Sequence, residues 1–146
     1  MSSGHGGGAP VEEARAILCR ELSRILEAGR FTIRTRILMA SDRPVEAHFY
    51  SHREEGWHKE PYAVTEPEVV RALHESVELL FSKGHGDEWS ATRHATADHL
   101  DVDLHFHREK LENRTGKKLE SAVAGLLFRD SHDSKKDVRR SIRTRR

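Results

Sequence analysis

Between Ala14 and Leu26 the apolar residues recur every three to four positions, and between Phe31 and Met39 they recur every two. No single regular backbone satisfies both spacings, so the chain must pass from a helix into a strand near residue 30. Pro10 suits the first helical position, where its missing N–H costs nothing. Ala14, Ile17, Leu18, Leu22, Ile25 and Leu26 form the buried stripe, and Gly29 supplies a left-handed stop.

In the strand, Phe31, Ile33, Thr35, Ile37 and Met39 alternate with Thr32, Arg34, Arg36 and Leu38. Ser41-Asp42-Arg43-Pro44 reads as a turn, with Pro44 ending the first run. Val45, Ala47 and Phe49 then alternate with Glu46, His48 and Tyr50. Pairing Met39 near Val45 and Ile37 near Ala47 collects the apolar side chains on one face. It brings Arg34 and Arg36 near Glu46, His48 and Tyr50 on the wet face of an antiparallel hairpin.

Gly56, Trp57 and Pro61 mark residues 51–64 as an irregular loop. Thr65 and Glu68 have the spacing of a capping box, with Pro67 in the first turn of a second helix. Val69, Val70, Leu73, Val77, Leu80 and Phe81 give that helix its apolar stripe, and Lys83-Gly84 its end. His85-Gly86-Asp87 reads as a turn into a second hairpin, weak in its first arm (Trp89 to Ala97). In its second arm Leu100, Val102, Leu104 and Phe106 face one way, and Asp101, Asp103, His105 and His107 the other. A last helix over roughly Lys117 to Phe128 carries Leu119, Val123, Leu126 and Leu127. The expected fold is α+β, helix–hairpin–helix–hairpin–helix, with a small antiparallel sheet packed on helices. Residues 1–9, rich in glycine, read as a disordered leader, 10–128 as one domain, and 129–146 as a basic flexible tail.

Charge separates the domain from the tail. The whole chain carries +1, but residues 129–146 hold eight basic and three acidic side chains, which leaves residues 1–128 at −4. An acidic body attracts a basic partner, while the tail does the opposite. Lys135, Lys136, Arg139, Arg140, Arg143, Arg145 and Arg146 would hold phosphates through counterion release, without reading sequence. No apolar run reaches the roughly 18–20 residues of a membrane span, and no secretory signal precedes the first helix. With Cys19 alone there is no intrachain disulfide framework, so the expected setting is the cytoplasm.

Motifs for chemistry are sparse. The chain has no HEXXH, no CXXC, no nucleophile elbow and no glycine-rich loop between a strand and a helix. Eleven histidines invite a metal reading. If the second hairpin turns near Asp98-His99, His94 falls opposite Asp103, and His105 and His107 share their face, a set of the kind that holds zinc or iron. Strand-face histidine beside aspartate equally makes ordinary cross-strand polar pairs, so no metal or other cofactor is assigned.

The segments FTIRTRILMASDRPVEAHFYSH, TEPEVVRALHESVELLFSKGHGDEW and SATRHATADHLDVDLHFHRE occur in the order hairpin, helix leading through a short turn to a Trp, hairpin. In that order and in their alternation, over about residues 11–109, they resemble the YezG-type immunity-protein family. His105, His107 and the basic tail depart from that pattern. The resemblance implies a cytoplasmic antitoxin that binds and blocks a secreted bacterial toxin, often a nuclease, and performs no catalysis itself. On that reading Arg34, Arg36, Glu46, His48, Tyr50, Asp101, Asp103, His105 and His107 offer a contact surface. Trp57 and Tyr62 add aromatic anchors of the kind interfaces favour. Two alternatives stand beside it: a nucleic-acid-associated protein acting through the tail, and a small metal-binding protein using His94, His105 and His107.

Overall fold

The computed structural model describes residues 8–83, 88–111 and 113–128. Helix α1 spans Gly8–Glu27, so Gly8 and Ala9 are helical rather than part of a leader. Its end is a Schellman arrangement: Gly29, at φ +89°, donates its N–H to the Leu26 carbonyl (2.9 Å), and Arg30 donates to that of Ile25 (3.2 Å). Strand β1 is Thr32–Ala40 and β2 is Arg43–Arg53. Between them Ser41 and Asp42 both take positive φ, 53° and 63°, which makes a tight two-residue hairpin turn. Pro44 therefore lies inside β2 rather than before it. A register shift between Leu38 and Met39 follows, so Ile37 pairs with Ala47 but Met39 pairs with Pro44, not Val45.

The loop expected over residues 51–64 is instead the end of β2 and a third strand, β3, Gly56–Val64. Gly56, at φ +118°, turns the chain back after Glu54-Glu55. Pro61 is tolerated because β3 lies at a sheet edge, where one side of the strand has no ladder to feed. The first hairpin is thus a three-stranded meander. Helix α2 runs from Pro67 to Lys83. It opens one residue later than a Thr65 cap requires, so Glu66 takes the cap position and its carbonyl accepts the Val70 N–H (2.9 Å).

Strands β4, Trp89–Ala95, and β5, His99–Phe106, form the second hairpin, and α3 spans Gly116–Phe128 after a short 3-10 turn. All five strands join one antiparallel sheet in the order β3-β2-β1-β5-β4. Helix α2 carries the chain from one edge of that sheet to the other.

One side of the sheet meets the helices. Ile33, Ile37, Phe49, Val102 and Leu104 from the strands enclose a single apolar cluster with Leu18, Leu22 and Ile25 of α1. Leu73, Val77 and Leu80 of α2 and Val123 and Leu127 of α3 complete it. Trp89 is buried against this cluster, and its indole N–H donates to the Leu126 carbonyl (3.2 Å), tying β4 to α3. The expected tail and the turn at His85-Gly86-Asp87 lie outside the described residues.

Candidate partner-binding face

Side chains that alternate away from the helices collect on the other face of the sheet. Because β1 is central, its Arg34 and Arg36 stand between β2 and β5. Register places Arg34 opposite Tyr50 and Asp103, and Arg36 opposite His48 and Asp101. Both arginines bind their aspartates through two parallel hydrogen bonds. Arg34 Nε and Nη2 reach Asp103 at 2.8 and 3.0 Å; Arg36 Nε and Nη2 reach Asp101 at 2.8 and 2.9 Å. A longer contact from Arg34 Nη1 to Asp101 (3.5 Å) joins the pairs into one network. The hydrogen bonds to Asp103 and Asp101 hold the two guanidiniums more basic than usual. Bidentate pairs of this kind fix geometry as well as charge.

Aromatic rings cover the guanidinium planes. Trp57 of β3 lies 4.0 Å from the Arg34 guanidinium, Tyr50 lies 5.2 Å from that of Arg36, and His52 meets Trp57 edge-on at 5.0 Å. Trp57 still leaves 37% of its surface exposed. Along the same face Glu46 lies 3.0 Å from His48 Nε2, and His99 approaches Asp101 (3.6 Å). His105 sits between the Thr92 and Thr32 hydroxyls at 3.3 and 3.4 Å. His48 is buried, and among the described residues its Nδ1 has no hydrogen-bond partner.

Nine of the eleven expected contact residues therefore share this face: Arg34, Arg36, Glu46, His48, Tyr50, Trp57, Asp101, Asp103 and His105. Tyr62 does not. It lies on the helix side of β3, under the Arg20 guanidinium of α1 at 5.0 Å. His107 falls just beyond β5, where alternation has ended, and its side chain is exposed.

The expected ligand set around His94 is not assembled. Thr96 donates its N–H to the His99 carbonyl (2.8 Å), and its hydroxyl accepts from the N–H groups of Asp98 and His99 (3.2 Å each). That turn is centred one residue earlier than Asp98-His99, so His94 pairs with Asp101 and Thr92 with Asp103. Among the described residues no group of three or more His, Cys, Asp or Glu is placed to hold a metal ion. The basic residues Lys135, Lys136, Arg139, Arg140, Arg143, Arg145 and Arg146 lie outside the described residues.

Two features escaped the sequence. The first is the pairing of Arg34-x-Arg36 with Asp101-x-Asp103, which merges the two expected polar surfaces. Matching charges at matching alternation were its only signal. The second is a buried network at the meander. Glu60 accepts from the Ser51 hydroxyl (2.7 Å) and from Arg24 (3.2 Å), and Arg24 also binds Glu21 (2.8 Å). Burial opposes the charge on Arg24, but the two carboxylates outweigh it and leave the group more basic than usual.

Cys19 lines a groove of about 440 Å³ between α1 and α3, with Arg15, Lys117, Glu120 and Phe128 around it. Burial, then the nearby Glu120 carboxylate, pushes the thiol up to about 11 from 9.0. At pH 8 alkylation of the folded chain is expected to run about 100-fold slower than that of the unfolded chain, as the thiolate fraction dictates. The raised value favours the protonated folded state. This stabilisation is complete below pH 9 and is lost as pH rises from about 9 to 11. Equal alkylation rates for folded and unfolded protein would contradict this.

No family model, no curated protein and no solved structure matches the chain. No helix among the described residues is long and apolar enough to cross a membrane.

Proposed function

We propose that the chain is a non-catalytic protein-binding module, an antitoxin of the immunity type, that docks a toxin against its polar sheet face. The observation that carries this reading is the covering of Arg34 and Arg36 by Trp57 and Tyr50, with aspartates locking both guanidiniums in place. Side chains held this way have already lost their rotamer freedom, so a partner meets a pre-organised surface. A half-exposed Trp beside a fixed Arg is the composition of an interface hot spot. Charge favours a basic partner: Glu54 and Glu55 stand exposed at the β2–β3 turn beside Trp57, and residues 1–128 carry −4 overall. A nuclease, whose own surface must attract phosphate, fits that description, and the setting implied is the cytoplasm.

Affinity capture from the source cell with immobilised wild-type chain and with Trp57→Ala tests the reading. The expected result is one stoichiometric polypeptide, held at least tenfold less tightly by Trp57→Ala, whose toxicity on expression is suppressed by co-expressing this chain. Recovery of ribosomes or nucleic acid alone, equally with both baits, would count decisively against it.

A further inference from the structure

The sheet has two edges, and they differ. Edge strand β3 contains Pro61, which has no N–H to offer, and its ladder with β2 is irregular between His48 and Tyr50. Devices of that kind discourage pairing with another chain. Edge strand β4 has none of them. Its seven residues, WSATRHA, pair with β5 without a shift and contain neither Pro nor Gly.

Backbone parity shows what β4 offers. Thr96 donates to His99, and Glu88 accepts from His107 (3.1 Å), so even-numbered residues face β5. Alternation then turns the N–H and C=O groups of Trp89, Ala91, Arg93 and Ala95 outward, away from the sheet. Among the described residues no strand pairs with that side of β4, and an edge of this regularity is a template for another strand.

We propose that the occupant is a second copy of this chain, the two β4 strands pairing antiparallel about a twofold axis at Thr92. In that register Ala91 exchanges both backbone hydrogen bonds with Arg93 of the second copy, and Trp89 with Ala95. On the opposite face Ser90 meets His94 and Thr92 meets Thr92. Every large side chain faces a small one, and no like charges face each other. Moving the axis to Arg93 sets two arginines directly opposite, which is unfavourable. Moving it to Ala91 leaves the outward groups of Ala95 unpaired. Arg93 is also held back along its own protomer by two bonds to Glu78 of α2, at 2.7 and 2.9 Å. Three residues beyond Glu78 on α2, Phe81 leaves 39% of its surface exposed. The proposal uses the sheet edge and so stands apart from the partner-binding reading. It would place two copies of the Trp57 and Arg34 surface on the same side of one ten-stranded sheet.

Sedimentation velocity from 1 to 200 µM, applied to the wild-type chain and to Ala91→Pro, tests the pairing. Because the Ala91 N–H points outward, the proline costs no bond to β5, and far-UV circular dichroism is expected to be unchanged. The wild type should be a concentration-dependent dimer, and Ala91→Pro should weaken it at least tenfold. Thr92→Cys in a Cys19→Ser background provides the second arm. Facing residues in such a pair sit about 4.5 Å apart at Cα, within disulfide range, so mild oxidation should link the two copies. A wild-type chain that stays monomeric at 200 µM, an Ala91→Pro variant that dimerises undiminished, or a Thr92→Cys variant that stays unlinked would each overturn the proposal.

Discussion

Arg36→Ala is expected to destabilise the protein by about 3 kcal/mol, because it strands a carboxylate that has almost no access to water. The Asp101 side chain is only 3% exposed. Its two bonds to Arg36 are the shortest it makes, and the contacts left behind, Arg34 at 3.5 Å and His99 at 3.6 Å, are longer and poorer. Urea denaturation measures the loss directly. A second variant separates stranded charge from lost packing: Arg36→Met with Asp101→Leu removes both ions and should recover most of the wild-type stability. If the single and double variants fall equally, the cost lies in packing rather than in the uncompensated carboxylate. Asp103 is less deeply buried, at 14% exposed, so Arg34→Ala should cost less than Arg36→Ala in stability.

Glu60→Ala should remove roughly 2–3 kcal/mol, read as a fall of roughly 5–10 °C in melting temperature. The cost comes from Ser51, whose side chain is fully buried and whose hydroxyl donates to Glu60. Alanine leaves that donor without an acceptor in a place water does not reach. Arg24 and Arg53 also lose a carboxylate, but both reach solvent and contribute little to the cost. Glu60→Gln keeps an acceptor for Ser51 and should cost less than half as much. Equal destabilisation by the two variants would mean that charge, not the hydroxyl's partner, decides stability there.

Local periodicity carried the elements whose apolar residues repeat strictly: α1, α2, β1 and β5 are all legible that way. Strand β3 was not, because Gly56 and Pro61 are read as breakers unless the strand is known to be an edge. The first hairpin pairs as its alternation dictates from Ile33 to Leu38 and departs only at the bulge beyond, where Met39 meets Pro44 instead of Val45. The second hairpin differs throughout because its turn is set by the Thr96 hydroxyl, and a turn's centre moves by one residue without disturbing the alternation on either side. The polar face itself was legible as two separate surfaces. That they are one surface depends on β1 pairing with β5 across 69 residues of sequence, from Arg34 to Asp103, which no local pattern encodes.

That long-range pairing bears on how the protein is made. The innermost strand of the sheet is completed by a segment, His99–Phe106, that leaves the ribosome long after β1 and its meander have emerged. Throughout that interval one side of β1 has nothing to bond with, and Ile33 and Ile37 lack the neighbours that later seal them. The nascent chain must therefore hold an unfinished centre open until His99–Phe106 has emerged, an interval in which chaperone engagement matters most.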